Sequence, residues 1–357
     1  MANVAERVAL HRAFWNGEKQ AHPIAALRVA PDFFFSRHFR AAEKLLVPDT
    51  CITADMLEVD RFMNDYERMF RDSELAGQDA FWTAEPYTGI PWMEAILGCR
   101  VCAGDSSFTS ERWLNFPGDL DKVRVDPENP WFRKYLEFTT ALVDLSKGRF
   151  PVGMPIMRGP SDVAGALMGQ TEMVFALNDE PERMKEFFMR IAEAFRFVID
   201  AQNALIPPFQ GGTALGFYHV YCPGPSIWYQ EDLSALMSPA MYSEFLKEAE
   251  QCICQGKSYT AIHLHPSSFF ILDALLAKDE LKAIEVNKDV GGPCMAEMIP
   301  YLQKIQKKKR LIIWGDLDEA DIRLIKKNLS SDGLFLHIIA PTVHEAKRLG
   351  AIVREVD

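Results

Sequence analysis

The chain has 357 residues, 48% hydrophobic and 25% charged, which is ordinary globular material able to bury a large core. Its net charge of −11 argues against a nucleic-acid or anionic-membrane surface as main partner. No apolar stretch reaches the ~20 residues of a membrane helix, the start MANVAERVALHRAFW lacks the layout of a secretion signal, and seven cysteines are too few for a disulfide framework, so the expected compartment is the cytoplasm.

Residues 1–80 read as a helical and irregular N-terminal segment, expected to pack on a domain formed by residues 81–357. Helices are predicted at Val4–Asn16, Ser36–Leu46 and Arg61–Asp72, with a short strand at Ile24–Val29. The stretch from Phe81 to Asn115 gives no clean period. A helix follows at Trp131–Lys147, then a short apolar run at Phe150–Met157 that ends in Arg158-Gly159-Pro160. Pro181–Leu205 is a long amphipathic helix with proline and acidic residues in its first turn, both favourable there. Thr213–Tyr221 reads as a strand, and Ser238-Pro239 caps a helix running to about Cys254.

The units then shorten. Strands at Tyr259–Leu264, Ala283–Val286, Leu311–Trp314 and Leu334–Ile339 alternate with helices at Ser267–Leu276, Met295–Lys307, Asp318–Asn328 and Thr342–Leu349. The basic run Lys304–Arg310 reads as a solvated helix end leading into a strand. Short apolar strands alternating with amphipathic helices indicate βαβ units. Seven or eight such strands without a nucleotide fingerprint predict an α/β protein with a single (β/α)8 TIM barrel and an N-terminal helical extension.

In a barrel, function sits at the C-terminal ends of the strands. Those ends carry Arg158 and Asp162, then Tyr218, His219 and Tyr221, then His263 and His265, then Glu285, Asn287 and Asp289, and finally Asp316. His263 and His265 lie two apart at a strand end, so both side chains can point the same way. Glu285 falls at the end of the next strand, about 5 Å away in the sheet, so one cation could reach all three. Two imidazoles and a carboxylate suit zinc, or ferrous iron with open positions. The alternative is that these residues satisfy one another as hydrogen-bonded core groups. Arg158 is the cation best placed for a substrate carboxylate or phosphate, or else it pairs with Asp162. The aromatic cluster Phe217, Tyr218, Tyr221, Trp228 and Tyr229 offers a pocket wall for a flat substrate. Cys99 with Cys102, and Cys252 with Cys254, lack a second pair at zinc-ribbon spacing and read as buried small hydrophobes. Cys294 sits at a strand-to-helix turn that could lower its pKa.

These residues also resemble a known superfamily. Arg158-Gly159-Pro160 leading to Leu167-Met168-Gly169, then Asp179-Glu180-Pro181-Glu182 opening a long helix, is similar to the middle of uroporphyrinogen decarboxylase-like proteins. Asp232, followed by Ser238-Pro239 with Tyr242 and Phe245, continues the likeness, as does His263. Trp314-Gly315-Asp316-Leu317-Asp318 resembles the family's Gly-Asn-Val-Asp-Pro segment. The likeness covers residues 80 to 357 and implies a (β/α)8 barrel.

Within the superfamily, His263-x-His265 resembles the His-x-Cys of corrinoid-dependent and cobalamin-independent methyltransferases, whose zinc activates a thiol. Glu285 falls close to a glutamate ligand of cobalamin-independent methionine synthase. His265 stands where cysteine is expected, and no cysteine occurs near Ala340, where the late ligand would fall. Thiolates raise electron density on zinc, so two histidines and a glutamate imply a harder, more acidic metal. The family's arginine-rich segment, which binds the carboxylates of uroporphyrinogen, has no match in Arg28–Phe33 or in Arg37 and Arg40.

The leading expectation is a methyltransferase-like one-carbon enzyme with zinc or another divalent metal at His263, His265 and Glu285. Arg158, Tyr218, His219, Tyr221, Trp228 and Asp316 would bind a small organic substrate, and a corrinoid protein would be a possible methyl donor. A second reading is a metal-free decarboxylase in which Asp162 and His263 handle the proton and Arg158 the carboxylate. A third is a binding barrel without chemistry.

Overall fold

A computed structural model of the chain describes residues 3–30, 38–105 and 107–355. Its centre is a six-stranded parallel sheet built from β1 (Ile24–Val29), β7 (Ser226–Gln230), β8 (Tyr259–Leu264), β9 (Ala283–Lys288), β10 (Arg310–Gly315) and β11 (Leu334–Ala340). The order is β1-β11-β10-β9-β8-β7. Two further segments run between the sheet's edges. Asp79 donates its N–H to the Ala25 carbonyl, Ala84 pairs with Val152, and Arg158 pairs with Gln230. Three short strands, β2 (Thr50–Ile52), β3 (Arg100–Ala103) and β4 (Phe108–Glu111), form an antiparallel sheet, and β5 (Thr213–Ala214) pairs with β6 (Tyr221–Cys222).

The strands of the central sheet are near-continuous Val/Ile/Leu runs because helices cover the sheet, as parallel sheets require. Register sets which side chains meet. Gln230, His263, Glu285, Ile312 and Phe335 stand side by side across β7, β8, β9, β10 and β11, and Asn287, Trp314, His337 and Ala26 form another row. Neighbours in parallel register share a face. The cavity residues described below therefore come from consecutive rows of one face.

The helices at Val4–Asn16 and Pro181–Leu205 have the expected bounds, and Asp318 and Thr342 cap the helices that follow them. The strand at Ile24–Val29 pairs with β11, so the N-terminal segment contributes to the central sheet as well as packing helices on it.

Several expectations are corrected. Phe150–Met157 forms no regular strand, because Pro151 and Pro155 have no N–H to donate. At Gly153 a Cβ would lie 2.6 Å from the Gly216 backbone, so two chains cross there too closely for a side chain. Thr213–Tyr221 is broken by a 3-10 turn over Gly216–Tyr218 and by His219 at φ 60°, leaving only β5 and β6. The strand β7 follows Pro223-Gly224-Pro225; it is buried on both faces, so it shows no alternation to read. The helix after Ser238 divides at Leu246. Of the helix expected at Ser36–Leu46, the start, including Arg37, lies outside the described residues, and the rest holds a 3-10 turn at Arg40–Ala42. Cys102 is not a small hydrophobe paired with Cys99, since it forms a disulfide with Cys51 across β2 and β3. That bridge removes the cysteine count as an argument for the cytoplasm. No helix among the described residues is long and apolar enough to cross a membrane.

One buried histidine makes stability depend on pH. His11 is fully buried among Phe81, Tyr221 and Phe335. Burial lowers its pKa to about 4, although the Arg7 carbonyl and Asp79 oppose the shift. The unfolded chain then binds a proton that the fold refuses between the ordinary His value of about 6.5 and about 4. Stability should therefore fall as pH drops through that window, by on the order of 3 kcal/mol from this group. Urea unfolding of the wild type and of His11→Phe across pH 4–7 tests this. The difference between the two curves should grow toward acid, and parallel curves would remove His11 as the cause.

Candidate metal centre

At the C-terminal end of β8, His263 and His265 project toward the same point. Their Nε2 atoms are 3.1 Å apart, and the rings meet edge to face at 87°. Each Nδ1 has a carboxylate behind it. His263 Nδ1 contacts Glu285 Oε2, with the Tyr218 hydroxyl 3.0 Å from the same nitrogen. His265 Nδ1 lies 2.6 Å from Asp289 Oδ1, which also accepts from Asn287 Nδ2 at 2.7 Å. Carboxylates accept from Nδ1–H and so favour the tautomer that leaves a lone pair on Nε2. Two such lone pairs facing each other at 3.1 Å repel unless a cation or a proton stands between them.

The third converging atom comes from the loop after β7. Asp232 Oδ1 is 4.0 Å from His263 Nε2 and 3.8 Å from His265 Nε2, and Gln230 donates to its other oxygen at 2.8 Å. Ligand atoms of Asp232, His263 and His265 all lie within 4.8 Å of one another. The residues fit a divalent ion, because donors at about 2.0–2.1 Å from a common metal stand roughly 3 Å apart, as the two nitrogens do. Two imidazoles, one carboxylate and an open side form a donor set for zinc or ferrous iron. Burial pulls the His263 pKa down, but Glu285, helped by Asp232 and Asp289, outweighs it and raises the value to about 9.

The three side chains open into a cavity of about 820 Å³. Trp92, Phe108, Ile156, Tyr218 and Trp314 supply an apolar wall, and Arg158 supplies a cation. Arg158 Nη1 donates to buried Glu94 at 2.8 Å, while 41% of the side chain remains exposed. Glu94 aims the guanidinium and leaves further N–H groups for a ligand.

Neither a protein-family model nor a curated protein sequence matches the chain. Solved structures do match. A methyltransferase from Methanosarcina mazei superposes with a TM-score of 0.63 at 17% identity, over 98% of this chain and 98% of that one. A B12-independent methionine synthase from Shewanella sp. W3-18-1 superposes with a TM-score of 0.50 at 10% identity, over 93% of this chain and 96% of the other. At these identities the likeness shows a shared fold, a parallel α/β sheet of the kind found in (β/α)8-barrel enzymes. In parallel α/β folds ligands bind beyond the carboxyl ends of the strands, and that is the end of β8 at which His263 and His265 converge.

The residues expected from sequence are distributed unevenly over this face. Arg158, Tyr218, His263 and His265 line the cavity. Glu285 lies on the Nδ1 side of His263, so the carboxylate that meets the two Nε2 atoms is Asp232. Asp162 is buried off the cavity, where its Oδ1 accepts the Leu233 N–H at 2.7 Å, and burial with Asp232 nearby raises its pKa to about 8. Arg158 pairs with Glu94 rather than Asp162. His219 is fully buried, 3.1 Å from Arg28 and against His337. Tyr221 donates its hydroxyl to the Gln210 carbonyl, Trp228 is buried beneath Tyr218, and Asp316 is exposed with its carbonyl bound by Lys288. Sequence reasoning named Asp289 only among the strand-end polar residues and Asp232 only in the family likeness, gave neither a role in the site, and did not single out Glu94. Asp232 follows β7, the strand that was not recognised, and Glu94 lies in the stretch without a period.

Proposed function

We propose that this chain is a metal-dependent, methyltransferase-like enzyme acting on a small organic substrate in the cavity above His263 and His265. The observation that carries the reading is the pair of Nε2 atoms 3.1 Å apart, each imidazole backed on Nδ1 by a carboxylate. His263, His265 and Asp232 would hold the metal, with Glu285 and Asp289 fixing the tautomers. A metal held there supplies a Lewis acid that lowers the pKa of an acceptor's thiol or hydroxyl. Arg158 anchors an anionic group of the substrate, the aromatic wall excludes water from its apolar part, and Tyr218 keeps the His263 ring in place. Methyl transfer is supported by the two barrels of similar fold. With no thiolate among the ligands, the centre is harder than the zinc–cysteine sites that the sequence resembles. The segments around Ala84 and Arg158, bridged to Val152 and Gln230, are read as the remaining two staves of an eight-stranded barrel.

Metal analysis of protein purified without a histidine tag from metal-replete cells tests the proposal. About one zinc or iron per chain is expected. Absence of stoichiometric metal after reconstitution overturns it. Methylcobalamin, as a stand-in for a corrinoid protein, tests the donor when mixed with a panel of thiol and phenol acceptors. Its spectral conversion would support a corrinoid donor, and metal binding without conversion would point to another methyl source.

A further inference from the structure

The opposite end of the barrel holds a second cleft. It has a volume of about 240 Å³ and lies where β8, β9 and β10 begin. Lys282, Lys308, Lys309 and Arg310 surround it, with Asp279 as the one carboxylate residue in its lining. Among the described residues, none of the four cations has a carboxylate oxygen at ion-pair distance, although the chain carries a net charge of −11 and pairs many of its other lysines and arginines.

Main-chain carbonyls hold three of these cations in place instead. Lys309 Nζ donates to the carbonyls of Lys278 and Leu281 at 2.5 and 2.7 Å, Lys282 Nζ to that of Asp279 at 2.7 Å, and Arg310 Nε to that of Trp15 at 3.0 Å. A carbonyl fixes the position of a cation without cancelling its charge. The backbone also makes room for Arg310. A Cβ at Gly17 would stand 2.5 Å from Arg310 Nη2, and one at Gly333 would stand 2.8 Å from its Cδ, and both glycines have φ of +66°. Trp15 and Tyr259, in edge contact at 5.0 Å, form the aromatic wall. Burial, and then Lys282, lower the Lys309 pKa, as expected for like charges gathered without a counter-charge.

We infer that this cleft is a binding site for a phosphate group, separate from the metal centre. Four donors of one sign, three of them tethered, match the several acceptor oxygens of a phosphate, which charge-assisted hydrogen bonds favour. The sequence run Lys304–Arg310 thus supplies more than a solvated helix end. Free phosphate and a phosphate monoester share this chemistry, and the Trp15–Tyr259 wall gives an ester's organic part a surface.

Calorimetric titration of the full chain with inorganic phosphate and with phenyl phosphate tests the site. One saturable site is expected for both, tighter for phenyl phosphate if the ester is the natural form and equal if phosphate alone suffices. The double variant Lys282→Gln/Lys308→Gln alters two exposed side chains and should weaken binding by about tenfold or more with the thermal midpoint unchanged. His265→Ala should bind phosphate as the wild type does. Absence of saturable heat up to about 10 mM phosphate, a dissociation constant weaker than about −3 kcal/mol of binding, overturns the proposal. So does binding that survives the double lysine variant, or binding that is lost in His265→Ala, since either places the anion elsewhere.

Discussion

Alanine in place of His265 is expected to abolish stoichiometric metal binding and turnover, while Glu285→Gln only weakens the metal. The two residues look equivalent from sequence, since both are polar groups at strand ends beside His263. In the fold they act on different nitrogens. His265 offers Nε2 to the point it shares with His263 Nε2, 3.1 Å away, so its loss removes a donor. Glu285 is fully buried against His263 Nδ1, where it fixes the ring and its tautomer without reaching the shared point. Groups in that position affect metal affinity by about 10–100-fold. Asp232→Asn, which removes the charge of the third converging group, should rank with His265→Ala. Competition with a chromophoric zinc chelator gives all three affinities. If Glu285→Gln releases the metal while Asp232→Asn keeps it, Glu285 is the ligand and the assignment must be reversed.

The second large effect is on stability. Lys278 and Glu250 form a salt bridge with Glu250 fully buried and Lys278 8% exposed. The Tyr242 hydroxyl donates to Glu250 and lies 3.1 Å from Lys278 Nζ. Removing the lysine leaves a carboxylate in the interior with one neutral donor, and breaking a buried pair in this way costs about 3–5 kcal/mol. Lys278→Met should lower the unfolding free energy by that amount in urea denaturation at pH 7. The double variant Lys278→Met/Glu250→Leu should recover most of the loss, because an apolar pair of similar volume avoids burying charge. A single variant within about 1 kcal/mol of wild type would show that water or another cation reaches Glu250.

The sequence by itself determined the alternation that makes β8, β9, β10 and β11, since each is a short apolar run between amphipathic helices. It also determined that His263 and His265 share a direction at the end of β8, because side chains two apart on a strand point the same way. These are local properties, set by periods of 2 and 3.6 residues.

What only the tertiary structure decided is which partner each side chain meets. Cys102 meets Cys51 rather than Cys99 because β2 and β3 bring together residues 51 positions apart. Arg158 turns to Glu94, 64 positions away, rather than to Asp162 on its own segment. Lys308 and Lys309 face a cleft completed by Trp15, far away along the chain. At the proposed metal centre, register alone puts Glu285 beside His263, and the orientation of the imidazole ring then assigns Glu285 to Nδ1 and Asp232 to Nε2. An imidazole has two chemically different nitrogens on opposite edges. A strand pattern gives the direction of a side chain but not the rotation of its ring, so the choice of carboxylate could come only from packing.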